Sequence, residues 1–261
     1  MDSVYSSLKD GVGRVVLNRP DKRNALTREI IQALANEVAA LSAQEECRVL
    51  VFEATGQVFC AGMDLGEMQQ RAVSPNSAGE WQVDSEVYCD LLTSIFSLTI
   101  PSLAIVQGPV LAGGMGFMLA CDMILAADSV FFALPEPMRG ITAAMVTPLL
   151  VHRIGFGPAT YMLLSGERVT AHKAATFGLC HDVVSRDDLD ERSKVLINAI
   201  LSGSKSALAI TKAHINSCGD QNIVEQVRRS IEVSAEARAT DDAREGLAAF
   251  LEKRKPQWQE N

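Results

Sequence analysis

Two stretches of the sequence join a predicted β-strand to glycines at the start of a helix, and they constrain the fold most strongly. The strand predicted at 102–106 leads into GPVLAGGMGF (108–117), and the strand predicted at 48–54 leads into FCAGMDL (59–65). Glycines at a helix start let a ligand approach backbone N–H groups that have no partner within the helix, at the positive end of its dipole. Two such donors aimed at one point form an oxyanion hole. Close packing alone is the other explanation for glycines at these turns.

The composition indicates a globular protein that does not bind nucleic acids. The chain has 261 residues, of which 48% are hydrophobic, enough for one sizeable core or for a main domain with a smaller helical appendage. Its formal charge of −8 disfavours a nucleic-acid surface, although individual lysines and arginines can still bind phosphates. No apolar run is long enough to span a membrane, and the first residues do not resemble a secretory signal. We therefore expect no membrane contact and a cytoplasmic location.

The cysteines and histidines give no sign of a metal site. None of the six cysteines pairs with another at metal-binding or redox spacing, and the four histidines include no i,i+4 pair. A Cys-His nucleophile stays open, but Cys60 and Cys121 lie in strongly apolar segments, where inert packing is the favoured interpretation. We expect reduced cysteines and no bound metal.

The order of predicted elements indicates strands alternating with helices, followed by helices alone. Strands are predicted at 13–18, 48–54, 102–106, 123–126 and 130–133, and later helices at 147–153, 158–164, 171–177, 189–201, 206–217, 223–237 and 241–253. An early helix begins after Thr27, a typical N-cap, and its apolar positions share one face (Ile30, Ile31, Leu34, Val38 and Leu41). This order is typical of an α/β core with an α-helical C-terminal part.

Residues 71–80 are predicted to be the least ordered segment. They are polar and contain Pro75 and Gly79, both of which interrupt regular structure. A flexible lid or substrate-facing loop and a simple surface connection both fit this composition.

The two glycine-rich stretches become more informative together with four other segments. These are VVLNRPDKRNAL near the start, LPEPMRGI in the middle, LLSGERVTAHKAATFGL after it and EGLAAFLEKRKPQW at the end. With FCAGMDL and GPVLAGGMGFMLACD, they resemble the crotonase superfamily, the enoyl-CoA hydratases and isomerases, over nearly the whole chain. The resemblance implies an α/β fold with a crotonase-like spiral core of ββα units and a C-terminal α-helical trimerisation region.

The resemblance also implies an arrangement of domains and subunits. The α/β core with the acyl-CoA site is placed at residues 1–200, and the helical oligomerisation region at 201–261. A homotrimer or a hexamer made of two trimers is expected, because apolar residues near the C-terminus, such as Leu247, Phe250 and Leu251, need a partner surface.

The catalytic residues implied by the resemblance are two backbone amides and one carboxylate. The N–H groups of Met63 and Gly113 align with the donors that stabilise a thioester enolate. Family hydratases use two glutamates: the second aligns with Glu136, between two prolines that stiffen its loop, whereas the first position is occupied by Gly116. Without the alignment, an exposed loop acid would be the favoured interpretation of Glu136.

A single glutamate and an oxyanion hole match the minimal set of groups for double-bond isomerisation, and the expected activity is of the enoyl-CoA hydratase/isomerase type with Glu136 as the single proton shuttle. Water addition is well served by two carboxylates, whereas moving a double bond needs one base that takes a proton from carbon 2 and returns it at carbon 4. Family isomerases keep the second glutamate and lack the first. Other readings stay open: a hydratase of a branched or glutaconyl-type enoyl-CoA, a decarboxylase, a hydrolase, or a catalytically silent acyl-CoA-binding scaffold.

Coenzyme A recognition is also implied by the resemblance. The backbone near Ala25 and Ala61 aligns with positions that meet the adenine, Arg23 and Lys253 with positions that contact phosphates, and Phe250 packs nearby. No separate cofactor is expected, because coenzyme A is part of the substrate. Arg139 is either part of a surface ion pair or a partner for an acyl carboxylate, with the ion pair favoured.

Overall fold

The fold consists of nine strands and eleven α-helices in the part of the chain that the structure describes, residues 2–218 and 222–259 of a computed structural model. The strands are β1 (Val4–Lys9), β2 (Val12–Leu17), β3 (Val49–Ala54), β4 (Ser102–Val106), β5 (Val110–Leu111), β6 (Met123–Ala127), β7 (Phe131–Ala133), β8 (Val169–Thr170) and β9 (Asp182–Val184). The helices are α1 (Arg28–Ser42), α2 (Leu65–Ala72), α3 (Ser77–Phe96), α4 (Gly113–Leu119), α5 (Val146–Ile154), α6 (Phe156–Ser165), α7 (Ala171–Thr176), α8 (Leu189–Ser202), α9 (Lys205–Ser217), α10 (Ile223–Arg238) and α11 (Asp241–Leu251).

The strands form two sheets that meet near the glycine-rich turns. A six-stranded sheet has the order β1-β2-β3-β4-β6-β9, with β1 antiparallel to β2 and all other neighbours parallel. A three-stranded sheet has the order β5-β7-β8, in which β5 and β7 are parallel. A bridge between Cys60 and Val110 connects the chain after β3 to β5. This connection brings the two glycine-rich turns side by side.

The local patterns predicted from the sequence form as expected in most of the core. Thr27 caps α1, because its side-chain oxygen accepts a hydrogen bond from the Ile30 amide at 3.2 Å. The five apolar positions predicted for the inner face of α1 are all buried. The central strand β4 is buried at every position, which is typical of a parallel strand covered on both faces.

The prediction of a poorly ordered segment at 71–80 is wrong. The segment contains the end of α2 and the first turn of α3, and Pro75 lies in the short turn between them. Arg71 forms ion pairs with Glu67 at 3.0 Å and Glu80 at 3.2 Å, which hold the two helices together. Composition alone misled the prediction, because the polar residues pair with one another across the turn.

The C-terminal helices pack back onto the core around one cavity. Helix α10 packs on α3, and α11 packs on α2 and on a short 3₁₀ helix, Glu136–Arg139. Leu247 is buried against Met68 and Trp81 of the same chain. The expectation that Leu247 needs the surface of a partner subunit is therefore wrong. The division of the chain near residue 200 stays a prediction; α8 runs across that position. None of the helices in the described residues is long and apolar enough to cross a membrane.

Candidate active site

The two glycine-rich turns are in direct contact. Gly62 has a φ of +87°, a conformation that favours glycine, and an added Cβ would lie 2.7 Å from the Cβ of Ala112. The same added atom would lie 3.0 Å from the backbone nitrogen of Gly113. Gly62 is therefore needed for the two turns to approach each other this closely, which puts the amides of Met63 and Gly113 on neighbouring pieces of backbone.

Both predicted oxyanion-hole amides are without a hydrogen-bond acceptor among the described residues. Leu26 pairs with the turn through the carbonyl of Gly62 and the amide of Asp64, at 2.8 Å each, and leaves the amide of Met63 unused. Gly113 is the first residue of α4, so its amide has no acceptor within the helix. Two unused backbone donors beside one cavity are the arrangement that an oxyanion requires.

The residue before Gly113 is held in an unusual backbone conformation. Ala112 has φ +52° and ψ −131°, a region that residues with a side chain rarely adopt. Its amide donates to the carbonyl of Ala133 in β7 at 3.0 Å, and the carbonyl of Ala112 accepts from Met115 at 2.8 Å. These bonds, together with the contact with Gly62, hold the turn that orients the Gly113 amide.

Glu136 is a buried carboxylic acid on the wall of the cavity. It begins the 3₁₀ helix between Pro135 and Pro137, and only 5% of the residue is exposed. Its Oε2 is buried and has no hydrogen-bond partner among the described residues. Burial raises the pKa of Glu136 to about 7, against smaller opposing effects of a backbone hydrogen bond and of the Arg139 and Arg238 charges. A carboxyl group with this pKa both accepts and releases a proton near neutral pH.

Tyr88 occupies the space next to Gly116. A Cβ added at Gly116 would lie 2.3 Å from the Tyr88 hydroxyl oxygen and 3.2 Å from Val146 Cγ2. The Tyr88 hydroxyl donates a hydrogen bond to the carbonyl of Gly113, at the start of α4. Burial raises the pKa of Tyr88 well above its ordinary value, and the nearby Cys60 and Glu136 add to the shift. A neutral phenol therefore fills the place where a larger residue at 116 would project.

The cavity has a volume of about 260 Å³ and collects most of the predicted site residues. Its lining includes Arg23, Ala25, Ala61, Met63, Gly113, Glu136 and Phe250. Neither Gly116, which is buried, nor Lys253, which is exposed, is part of this lining. The aliphatic side chains of Leu65, Ile141 and Val146 and the thioethers of Met68 and Met145 supply apolar walls.

Asp64 is the other carboxylate that lines the cavity, but it is already bound. Its Oδ1 accepts from the amides of Gly66 and Glu67 at the start of α2, and Arg19 donates to its Oδ2 at 2.7 Å. Although burial acts in the opposite direction, these bonds lower the pKa of Asp64. Asp64 therefore stays ionised and caps a helix, and Glu136 is left as the cavity carboxyl suited to proton transfer.

The sequence reasoning missed several residues of the cavity. Tyr88 lies in α3, which was not predicted, and Ser234 and Arg238 lie on α10, which was predicted but not linked to the site. The spacing of Ser85 and Tyr88, and of Ser234 and Arg238, puts each pair on one helix face, but nothing in the sequence brings the two faces together.

The surface ion pair favoured for Arg139 is wrong. Arg139 forms no ion pair with a described residue; its guanidinium lies 4.5 Å from the centre of the Phe250 ring and lines the cavity. The shape of the 3₁₀ helix turns Arg139 toward α11, which sequence alone does not specify.

The cysteines near the site are unsuited to nucleophilic catalysis. Cys60 and Cys121 are buried and free, and burial raises the pKa of the Cys60 thiol to about 12 and that of Cys121 higher still. No group of three or more potential metal ligands occurs in the part of the chain that the structure describes.

Known proteins of one family resemble this chain over nearly its whole length. A profile of the family Enoyl-CoA hydratase/isomerase matches residues 7–261. The 2,3-dehydroadipyl-CoA hydratase of Escherichia coli is 30% identical over 257 residues, covering 98% of each chain. The human Enoyl-CoA hydratase domain-containing protein 3, mitochondrial, is 28% identical over 249 residues, or 95% of this chain and 81% of that one.

A solved structure extends the agreement to the whole fold. An enoyl-CoA hydratase from Mycobacterium avium superposes with a TM-score of 0.86 at 30% sequence identity, covering 99% of this chain and 100% of that one. The match includes the helices after the sheets as well as the α/β core. The chain thus belongs to the enoyl-CoA hydratase/isomerase family and has the crotonase fold.

Proposed function

We propose that this protein moves the double bond of an enoyl-CoA, with Met63 and Gly113 as the oxyanion hole and Glu136 as the single proton shuttle. The observation that carries the proposal is the buried carboxyl of Glu136, which has an unpartnered oxygen and a pKa of about 7. It lines the same cavity as the two unused amides. No second free carboxylate lines that cavity in the described residues.

The reaction needs only these groups. Glu136 takes a proton from carbon 2 of a 3-enoyl thioester, and the electrons of the broken C–H bond form an enolate whose oxygen lies between the two amides. Each prepared hydrogen bond to that oxygen stabilises it by about 3 kcal/mol. The carbonyl then re-forms, the double bond moves to carbons 2 and 3, and carbon 4 takes the proton back from Glu136.

Hydration of a conjugated enoyl-CoA is the second candidate. It is favoured by the names of the relatives, which are hydratases from Escherichia coli and Mycobacterium avium. The absence of a carboxylate at Gly116 and the presence of the neutral Tyr88 hydroxyl there favour isomerisation. A hydratase would have to position its water with Glu136 and a neutral group.

Coenzyme A is proposed to enter beside the loop that follows β2. Arg23, Ala25, Ala61 and Phe250 all line the cavity, which supports their proposed contacts with the adenine and phosphates of the substrate. Lys253 is kept as a proposed phosphate contact, with the acyl-CoA bound to the same subunit or to its neighbour in a trimer or hexamer. No separate cofactor is proposed, because coenzyme A is part of the substrate, and the cytoplasmic location expected from the sequence stays a prediction.

The proposal is tested by incubating the protein with crotonyl-CoA and with hex-3-enoyl-CoA and following the ultraviolet absorbance of the conjugated thioester. Isomerisation of hex-3-enoyl-CoA forms the conjugated thioester and should raise the absorbance. Hydration of crotonyl-CoA removes it and should lower the absorbance at a much smaller rate. Glu136→Gln should lower the isomerisation rate at least about a hundredfold, because it removes the acid/base group and keeps its shape.

The exposed Glu46 provides the matched control for that substitution. Glu46→Gln should turn over substrate at the wild-type rate. Rapid hydration of crotonyl-CoA without isomerisation would establish the second candidate, and no reaction with either thioester would indicate a silent acyl-CoA-binding protein.

A further inference from the structure

The cavity contains a positively charged group that the proposed chemistry does not use. Arg238, at the end of α10, lines the cavity on the side of α3. Its guanidinium lies 5.1 Å from the centre of the Trp81 ring, and one nitrogen donates to Ser85 Oγ at 3.1 Å. A guanidinium has five N–H donors, so this single bond leaves most of them unused.

No carboxylate of the described residues forms an ion pair with Arg238. Asp84 is near enough to influence its pKa but is bound to Arg28 at 2.6 Å and to Arg71 at 3.4 Å. Burial lowers the pKa of Arg238, and Asp84 and Glu136 oppose that effect. Burying a cation without a direct anionic partner costs free energy, and an anion bound in the cavity would offset that cost.

Ser234 adds a second donor next to Arg238. The two residues are four positions apart on α10, so they share one face of the helix, and both line the cavity. Ser234 is 3% exposed, and its oxygen accepts a hydrogen bond from Ser85 Oγ at 3.3 Å. Its own hydroxyl hydrogen has no acceptor among the described residues. A carboxylate can accept from this hydroxyl and from Arg238 together.

The contacts of these donors with α3 suit the far end of an acyl chain. Tyr88 reaches the carbonyl of Gly113, so it marks the end of the cavity where the thioester is proposed to lie. Ser85, which binds both Arg238 and Ser234, is three residues earlier on α3. Three residues correspond to about 4.5 Å along a helix axis. Ser85 and the two donors bound to it are thus displaced from the proposed thioester end by about 4.5 Å along α3.

We propose that Arg238 and Ser234 form a carboxylate-binding subsite that selects enoyl-CoA substrates with a second carboxylate at the end of the acyl chain. This inference rests on the proposed function, because it assumes that the acyl group occupies this cavity. Arg139 is not part of the subsite, since its guanidinium lies against Phe250 on the side of α11.

The subsite is tested by binding two saturated thioesters of equal length, hexanoyl-CoA and adipyl-CoA, which differ in the terminal carboxylate and do not react. The wild-type protein should bind adipyl-CoA at least about tenfold more tightly. Arg238→Gln should reduce the ratio of the two affinities by about ten- to a hundredfold, as expected for losing hydrogen bonds to a charged group. Ser234→Ala should reduce the affinity ratio by a few-fold to about tenfold. Arg238→Lys keeps a positive charge and should show a ratio between those of the wild-type protein and Arg238→Gln.

The control is Arg228→Gln on the same helix, since Arg228 is exposed and pairs with Asp90 on the surface. It should leave the affinity ratio unchanged. If Arg238 only anchors α10 to α3, its replacement will weaken the binding of both thioesters equally, and the inference is wrong. Equal binding of the two thioesters by the wild-type protein would also overturn it. If Arg238→Gln does not fold, Ser234→Ala and the wild-type ratio still decide.

Turnover separates this inference from the proposed function. Hex-2-enoyl-CoA and hex-3-enoyl-CoA are compared with the corresponding enedioyl thioesters in the wild-type protein. Tight binding of adipyl-CoA without any turnover would contradict the proposed function and support the subsite. Turnover of the enoyl thioesters without preference for the second carboxylate would support the function and overturn the subsite.

Discussion

Replacing Glu136 by glutamine is expected to change how the stability of the protein depends on pH. Burial raises the pKa of Glu136 from 4.5 to about 7 in the folded chain, whereas the unfolded chain keeps the ordinary value. Between these two values the unfolded chain releases its proton and the folded chain keeps it. The wild-type protein is therefore stabilised by the neutral acid at low pH, and it loses this stabilisation as the pH rises through about 7.

The size of the effect follows from the shift in pKa. A shift from 4.5 to about 7 is about 2.5 units, and each unit corresponds to 1.36 kcal/mol, so the full effect is about 3 kcal/mol. Part of this stabilisation is already lost at pH 5, so the free energy of unfolding should change by about 2 to 3 kcal/mol between about pH 5 and about pH 8. Glutamine cannot ionise, so Glu136→Gln should be more stable relative to wild type at the higher pH by this amount.

Urea unfolding of both proteins at about pH 5 and about pH 8 measures this difference. Glu46→Gln, at an exposed position, should show no such change with pH. A stability difference between Glu136→Gln and wild type that is the same at both pH values would show that Glu136 ionises normally. The assignment of Glu136 as a proton shuttle poised near neutral pH would then lose its electrostatic basis.

Further substitutions test the backbone of the site. Gly113→Pro removes one oxyanion donor and should abolish activity in a folded protein. Gly113→Ala should be milder, because the nearest atoms to its Cβ would be the side-chain atoms Met63 Cε at 3.3 Å and Tyr88 Oη at 3.5 Å; steady-state rates and circular dichroism test both variants. Gly62→Ala should lower both stability and activity, because its Cβ would collide with the second turn; wild-type melting and rates would refute this. Gly116→Glu alone should destabilise the protein, because the new side chain would collide with the Tyr88 hydroxyl. The double variant Tyr88→Ala, Gly116→Glu should fold better, and product chromatography should show faster hydration of crotonyl-CoA relative to isomerisation. The protein should sediment as a trimer or hexamer, because Phe156, exposed by 77%, is one of several large apolar side chains on the surface; a stable monomer at micromolar concentration would contradict this.

The sequence was sufficient to predict the elements that rely on local patterns. The inner face of α1 follows from its apolar spacing, and the cap at Thr27 from its position before that pattern. The two glycine-rich turns were predicted as strand-to-helix junctions, and both form with their glycines in close contact. The family resemblance then supplied the placement of Glu136, which its sequence neighbours alone would suggest to be an exposed loop acid.

The remaining features depend on contacts between distant parts of the chain. The segment at 71–80 is polar, yet Arg71 pairs with carboxylates on both sides of the turn and stabilises two helices. Tyr88 fills the space beside Gly116 only because α3 packs against α4. Likewise, Leu247 has the hydrophobic character of an interface residue, but its own chain buries it against Trp81. Periodicity cannot predict these partners, because it describes one element at a time.

The central claim is that one buried carboxyl carries the proton between two carbon atoms, and isotope transfer tests it most directly. Hex-3-enoyl-CoA with deuterium at carbon 2 is converted in ordinary water, and the hex-2-enoyl-CoA formed is examined by NMR spectroscopy. Glu136 is 5% exposed, so a shuttle on this group should return a measurable fraction of the deuterium to carbon 4. Glu136→Gln should abolish both the conversion and the transfer. Product that carries only solvent hydrogen at carbon 4 would contradict a single-carboxyl shuttle.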